Sequence, residues 1–354
     1  MKKTILIHAA IALLMVFGAQ AAFGITIKLS DRGVITNDRL DDSVQVQRAV
    51  NDLLASGGGT IEFPSGITDI KTQVKIVPDT YKPVNIIFKG DGGSVIRISV
   101  GQDGFAFYFG SLNQLRIENL VFTGMNVPAS DPRFFDAKYV LFAGWVSLVK
   151  IVDSSFFGFA VPNEGAVVLA SSNLTIDNCQ FDGNYAQAPK GAVVNIDCCT
   201  LPGQNANIRN TTFLDYSHYN GQWFSKTMGQ SGSWVRADQS IWSGDTEAQK
   251  LTIEDSFFDE GAEVAVYAKG IGSLHITGTK FNVSSSLNGA GFQADNVKRV
   301  RIEDSHFGWA TDPRPIAILN DSTAEMIGLT RSQAVQCPAS DPESAITWRL
   351  SDCN

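Results

Sequence analysis

The chain of 354 residues is poor in the residues that would announce a familiar chemistry. Its five cysteines, Cys179, Cys198, Cys199, Cys337 and Cys353, have no spacing that resembles a zinc site. After the first turns of sequence no run is long and apolar enough to span a bilayer. Positive charge is scarce: 28 Lys and Arg stand against 36 Asp and Glu, a formal charge of −8. An acidic surface argues against nucleic acid as a partner. It leaves room for an anionic sugar polymer wherever basic residues gather locally.

What is present begins with Lys2 and Lys3, an apolar stretch from Ile5 to Phe17, and then Ala19-Gln20-Ala21. That order of charge, apolar run and small residues is that of a secretory signal peptide, with cleavage expected near Ala21 or Gly24. Loss of the two lysines would take the charge to −10. The protein is therefore expected to be exported, secreted or periplasmic, with no membrane span after processing. Export permits disulfides. Cys337 and Cys353, isolated in the tail, are expected to pair, and Cys179 could pair with Cys198 or Cys199.

"LTIDNCQF", residues 174–181, carries a pattern that returns along the chain: Ile, then Asn, Asp or Gly two residues on, then Phe three further on. The copies are Ile117-Asn119-Phe122, Ile151-Asp153-Phe156, Ile176-Asn178-Phe181, Ile208-Asn210-Phe213, Ile253-Asp255-Phe258, Ile276-Gly278-Phe281 and Ile302-Asp304-Phe307. A period of 23 to 45 residues with variable insertions means a solenoid. Apolar residues alternate around each Ile, as in Leu174-x-Ile176, so the segments are strands. No helical period separates them. The reading is an all-β chain, a single parallel β-helix with the Ile and Phe side chains stacked inward, about 4.8 Å apart. The Asn, Asp or Gly between them suits a tight left-handed bend. Asp153, Asp255 and Asp304 are thus structural.

Both ends of an open solenoid need covering. "DDSVQVQRAVNDLLAS" places Val46, Ala49, Val50, Leu53 and Leu54 on one helical face, with Asp42 or Ser43 able to cap it. The expected organisation is a signal peptide over 1–21, an N-terminal cap over 22–60, the β-helix over 61–330 and a tail over 331–354.

The segment "DRGVITNDRLDDSVQVQRAVNDLLASGGGTIEFPSG" resembles the N-terminal cap of the pectate-lyase-like superfamily of right-handed β-helices, whose nearest subgroup includes rhamnogalacturonase- and epimerase-like enzymes and phage tailspikes. The resemblance extends over residues 25–100. It implies the fold, and a saccharide lying along one strand face. It assigns no catalytic residue, because the polygalacturonase-type motif set (N-T-D, D-D, G-H-G, R-I-K) is absent as a set and "DPRFFD" is only a superficial echo of D-P-H-D.

The strands that follow each motif read "VVNIDC", "SWVRAD", "VAVYAK", "GFQADN" and "PIAILN", and the long insertions 124–138, 183–191 and 215–232 fall just before such strands. Insertions on one side of a solenoid build a groove wall. Alternation sends Val194, Val235, Ala237, Val266, Ala268, Phe292 and Ala294 inward. Two columns then point outward: Asn195, Arg236, Tyr267 and Gln293, and Asp197, Asp238, Lys269 and Asp295, with Trp234 also outward. Asp197, Asp238, Lys269, Asp295, Arg236 and Tyr267 are the catalytic candidates. Asn195, Trp234, Gln293, Arg133 and, in the 215–232 insertion, His218, Tyr219, Trp223 and Lys226 are the substrate-binding candidates, with Lys138 secondary. The same columns could equally be a solvated charge ladder.

Three functions fit. A lyase or C5-epimerase of an acidic glycan would neutralise the uronate carboxylate with Arg236 or a cation. Lys269 or Tyr267, with lowered pKa, would move the protons, and Ca2+ held by Asp197 and Asp238 would suit such a site. An inverting glycoside hydrolase would use two of Asp197, Asp238 and Asp295, with carboxyl groups about 6.5–9.5 Å apart. A non-catalytic glycan-binding or surface protein would use the same groove for recognition alone.

Overall fold

In the computed structural model the described residues are 24–79, 84–125, 131, 133–170, 173–187, 190–196, 205–214, 217–219, 222–224, 231–238, 249–259, 262–282, 290–308, 314–315, 317–331, 335–336, 339–340, 342 and 344–349. The strands wind as a parallel β-helix with three faces. The first face includes Ala166–Ala170, Ala192–Ile196, Ser231–Asp238, Ala262–Lys269, Ala290–Asp295 and Ala317–Asn320. The second includes Asn173–Asp177, Asn205–Arg209, Lys250–Glu254, Ser273–Thr277 and Arg299–Glu303. Two long strands, Gly101–Glu118 and Ala137–Val152, run through the corner between these faces and join them into one 20-stranded sheet. The third face is a separate 10-stranded sheet that holds Val121–Thr123, Ser155–Phe157, Gln180–Asp182, Thr212–Leu214 and Phe257–Phe258.

The repeated residues occupy the same place in every coil. Ile117, Ile151, Ile176, Ile208, Ile253, Ile276 and Ile302 are neighbours in one ladder and are fully buried. On the third face Phe122, Phe156, Phe181, Phe213, Phe258, Phe281 and Phe307 form a continuous stack. Their ring centroids are 4.7–5.1 Å apart and their planes 3–6° from parallel. The strand spacing imposes that distance, since in-register parallel strands put identical side chains one backbone step apart.

The residue between Ile and Phe sits at positive φ in each copy: Asn119 55°, Asp153 50°, Asn178 53°, Asn210 50°, Asp255 46°, Gly278 57° and Asp304 46°. Their side chains also reach along the stack: Asn178 Nδ2 donates to Asp153 Oδ1 at 2.8 Å. Gly278 follows Asp255 for a related reason, because a Cβ there would collide with the Asp255 carboxylate.

A helix over Ser43–Ala55 covers the N-terminal end with Val46, Ala49, Val50 and Leu53 buried, while Leu54 is only partly buried. The expected side-chain cap does not form. Asp42 Oδ2 instead accepts the Asp69 N–H at 3.0 Å, and Ser43 Oγ accepts from the Lys71 and Thr72 N–H groups, each at 3.1 Å. These side chains fasten the helix to the first strand of the third face rather than close its first turn. Burial is the leading cause that pushes the Asp42 carboxyl above its ordinary value.

At the other end the stack runs past residue 330, where the repeat fades. Ala339–Ser340 pairs with Ala317–Asn320, and Ala345–Arg349 pairs with Thr323–Ile327. Cys179 is a buried free thiol, pushed up to about 12 by burial. Cys198, Cys199, Cys337, Cys353 and the signal-peptide segment lie outside the described residues. Among the described residues no helix is long and apolar enough to cross a membrane.

Candidate functional site

The first face carries the outward columns in the register read from the sequence. Asn195, Arg236, Tyr267 and Gln293 are successive ladder neighbours. So are Asp238, Lys269 and Asp295, which continue to Asn320. Between the two columns Ala237, Ala268 and Ala294 point inward and are buried. Small inward residues bring the backbone of these coils close to the core, and polar side chains are left to fill the outer surface.

The polar groups form a connected network. The Arg236 guanidinium pairs with the Asp238 carboxylate at 2.7 Å, both side chains being 14% exposed. The same guanidinium lies over the Tyr267 ring, 4.4 Å from its centroid. Tyr267 Oη donates to Asp295 Oδ2 at 2.9 Å. Gln293 Nε2 donates to both Asp295 oxygens at 3.1 Å, and Asn320 Nδ2 donates to Oδ1 at 2.6 Å. Asp295 is thus held by three side chains. Asn320, absent from the sequence candidates, is recognisable only as the next member of the Asp238 column.

Burial pushes the Tyr267 hydroxyl well above the ordinary phenol range, and its bond to the Asp295 carboxylate adds to the shift. The expectation of a lowered value is overturned. A half-buried phenol that already donates to an anion resists ionisation, so Tyr267 stays protonated at neutral pH and is not a base. Lys269, also half-buried, makes no ion pair among the described residues, although Asp238 and Asp295 flank it in the ladder.

Two side chains of this face depart from simple alternation. Trp234 is not outward: it is fully buried, packs near Phe213, and donates from Nε1 to the Asp259 carbonyl at 2.9 Å. The cause recurs along the face, because the ladder passes from Ser233 to Val235 without pairing Trp234, just as it passes over Val167, Val193 and Ala265 in neighbouring coils. The strand turns a corner there and residues 234 and 235 are both interior. Asn195 keeps its place in the outward column but is only 6% exposed, and its Oδ1 has no hydrogen-bond partner among the described residues. An orphaned buried oxygen is costly unless something donates to it.

Other candidates are placed less centrally. Arg133 is exposed and held by Asp131 at 2.7 Å within its own turn. Lys138 lies over the Tyr139 ring at 5.8 Å. Residues Ser217–Tyr219 and Gln222–Phe224 form an antiparallel hairpin in the long insertion, so His218, Tyr219 and Trp223 sit on paired strands, without described side chains. Asp197 and Lys226 lie outside the described residues. The calcium expectation rests on Asp197 together with Asp238, and Asp197 lies outside the described residues. Asp238 is tied to Arg236, and no cluster of three or more ligating side chains exists among the described residues.

No protein family and no curated protein matches the sequence. Solved structures do match the fold. The surface adhesin PfbA of Streptococcus pneumoniae superposes with a TM-score of 0.53 at 12% identity, over 93% of this chain and 96% of that one. The Agl-KA catalytic domain gives 0.52 at 14% identity, over 92% and 69%. The tailspike protein of Acinetobacter baumannii phage AM24 gives 0.51 at 12% identity, over 90% of this chain and 55% of the tailspike. The chain is a right-handed parallel β-helix, similar in architecture to catalytic and adhesive proteins alike.

Proposed function

We propose that this is an exported carbohydrate-active protein that acts on an acidic, uronate-containing glycan laid along the first face, by β-elimination or C5 epimerisation. The observation that carries the reading is Lys269. It is an amine without an ion pair among the described residues, set in the open column between Asp238 and Asp295. Elimination needs positive charge near the uronate carboxylate, removal of the C5 proton, and protonation of the leaving oxygen. Arg236, fixed against the Tyr267 ring, supplies the charge. Tyr267, tied to Asp295, stays protonated and holds the guanidinium over its ring. Lys269, as the neutral amine, is the group left to take the C5 proton, and the ammonium so formed gives it to the leaving oxygen. That the fold is shared with a surface adhesin and a phage tailspike supports a place of work outside the cell.

One observation favours recognition without turnover as the second reading. Asp238 is engaged by Arg236, and Asp295 by Tyr267, Gln293 and Asn320, so the surface is already satisfied in the way of a rigid binding face. The same satisfaction weighs against an inverting hydrolase, which needs one carboxyl group free to lose a proton and another free to activate water. The test is a panel of alginate, polygalacturonate and neutral glycans, read for near-ultraviolet absorbance and for new reducing ends. Absorbance from an acidic glycan supports elimination. Reducing ends without absorbance point to hydrolysis, and binding with neither signal and no change at C5 points to the adhesive reading. Indifference to every acidic glycan sinks all of it.

A further inference from the structure

Three coil steps toward the N-terminus from Arg236, the same outward column becomes aromatic. Arg236, Asn195, Leu169, Phe142 and Tyr108 are successive ladder neighbours, and Lys75 precedes Tyr108. The Tyr108 and Phe142 rings stack at 5.0 Å and 9°, and Phe105 packs edge-on to both, at 5.7 and 5.2 Å. All three are half-exposed. Glycine makes room for them. Where later coils carry Asp238, Lys269 and Asp295, these coils carry Gly110 and Gly144, and a Cβ at Gly144 would stand 2.6 Å from the Phe142 ring. Each ring therefore lies across the sheet instead of standing up from it.

Two further features mark the patch as more than packing. Trp145, next to Gly144, is 68% exposed, a large ring set on the corner that Ser111, Gly270, Asn296 and Asp321 also make at positive φ. Cations flank the rings: Lys75 is exposed at one end, and Lys138 lies over Tyr139 at the other. Apolar ring surface beside lysine is complementary to a uronate, which offers C–H groups on its ring faces and a carboxylate at its edge.

We propose that this platform is a second contact for the same acidic glycan, a stacking and charge-pairing patch that grips the chain away from Lys269. The proposal rests on the acidic-glycan reading above. Tyr108 and Tyr267 are five coil steps apart, about 24 Å along the axis. Leu169 and Asn195 between them are buried, so the face offers two separate grips, and a glycan must be long enough to reach both.

The test measures affinity for alginate and polygalacturonate chains with Tyr108→Ala, Lys75→Glu and Lys269→Ala variants. Tyr108→Ala and Lys75→Glu should each weaken binding of the long acidic chain roughly three- to tenfold. Each should leave the affinity for a uronate disaccharide, too short to span both grips, unchanged, whereas Lys269→Ala should weaken it. Lys75→Glu changes an exposed side chain, so its result stands even if Tyr108→Ala fails to fold. Long-chain affinity unchanged in both, with Lys269→Ala still weakening it, overturns the platform alone. A wild-type protein that binds no acidic chain overturns both readings.

Discussion

Phe181→Ala removes the centre of the aromatic column. The ring is fully buried between Phe156 at 4.7 Å and Phe213 at 5.0 Å, nearly parallel to both. Truncation of a buried Phe costs about 3–5 kcal/mol through lost transfer and the cavity left behind. Here the upper half of that range is expected, because two stacked contacts of roughly 0.5–1.5 kcal/mol each go with it. In-register strands on both sides also prevent the gap from closing. Phe307 provides the comparison. It has one parallel neighbour, Phe281 at 4.8 Å, and Arg331 in the next coil, so Phe307→Ala should cost about 1 kcal/mol less. Urea unfolding followed by circular dichroism reads both, with the slope m checked for constancy. A loss below about 1 kcal/mol for Phe181→Ala would refute the claim that the stack is a rigid, incompressible core.

Other perturbations test the bends, the cap and the network. Asn178 is left-handed at φ 53°, so Asn178→Val should destabilise by about 1–2 kcal/mol while Asn178→Gly is better tolerated, as thermal melts would show. Asp42 has its pKa raised by burial, so the folded state holds the proton more tightly. Its contribution to stability is full below the unfolded value of 3.8 and is lost as pH rises through the folded value. Asp42→Asn keeps an acceptor for the Asp69 N–H and should gain relative to wild type as pH rises across that window; a pH-independent difference would contradict it. Asn320→Ala removes a donor from Asp295 at the end of the network, and it should lower glycan affinity or turnover while leaving the Tyr267–Asp295 bond intact.

The solenoid was legible because its signal is repeated. Ile and Phe recur at fixed offsets, and the bends between them call for Asn, Asp or Gly, so one copy checks another. The outward columns followed from the same alternation, and Arg236, Tyr267, Gln293, Lys269 and Asp295 stand where it put them. It failed where the backbone stops being a plain strand, at the corner that turns Trp234 inward. It also misjudged Tyr267, because a pKa depends on burial and on a partner one coil away, neither of which is local in sequence. The roles of Asp42 and Ser43 were hidden for a similar reason, since their partners, Asp69, Lys71 and Thr72, lie 27–29 residues further on, at and just after the end of a strand. The aromatic platform was missed because its meaning lies in Gly110 and Gly144, which carry no side chain to attract notice.

The most direct measurement is of Lys269→Ala against wild type, with melting temperature, acidic-glycan binding and near-ultraviolet product formation taken on the same samples. Lys269 makes no ion pair among the described residues and is not part of the core, so the melting temperature should barely move. If the face performs elimination, turnover should disappear; if it only binds, affinity for acidic chains should fall modestly and that for neutral chains should not. A variant that melts like wild type and still handles acidic glycans as wild type does would contradict the assignment of this face as the working surface.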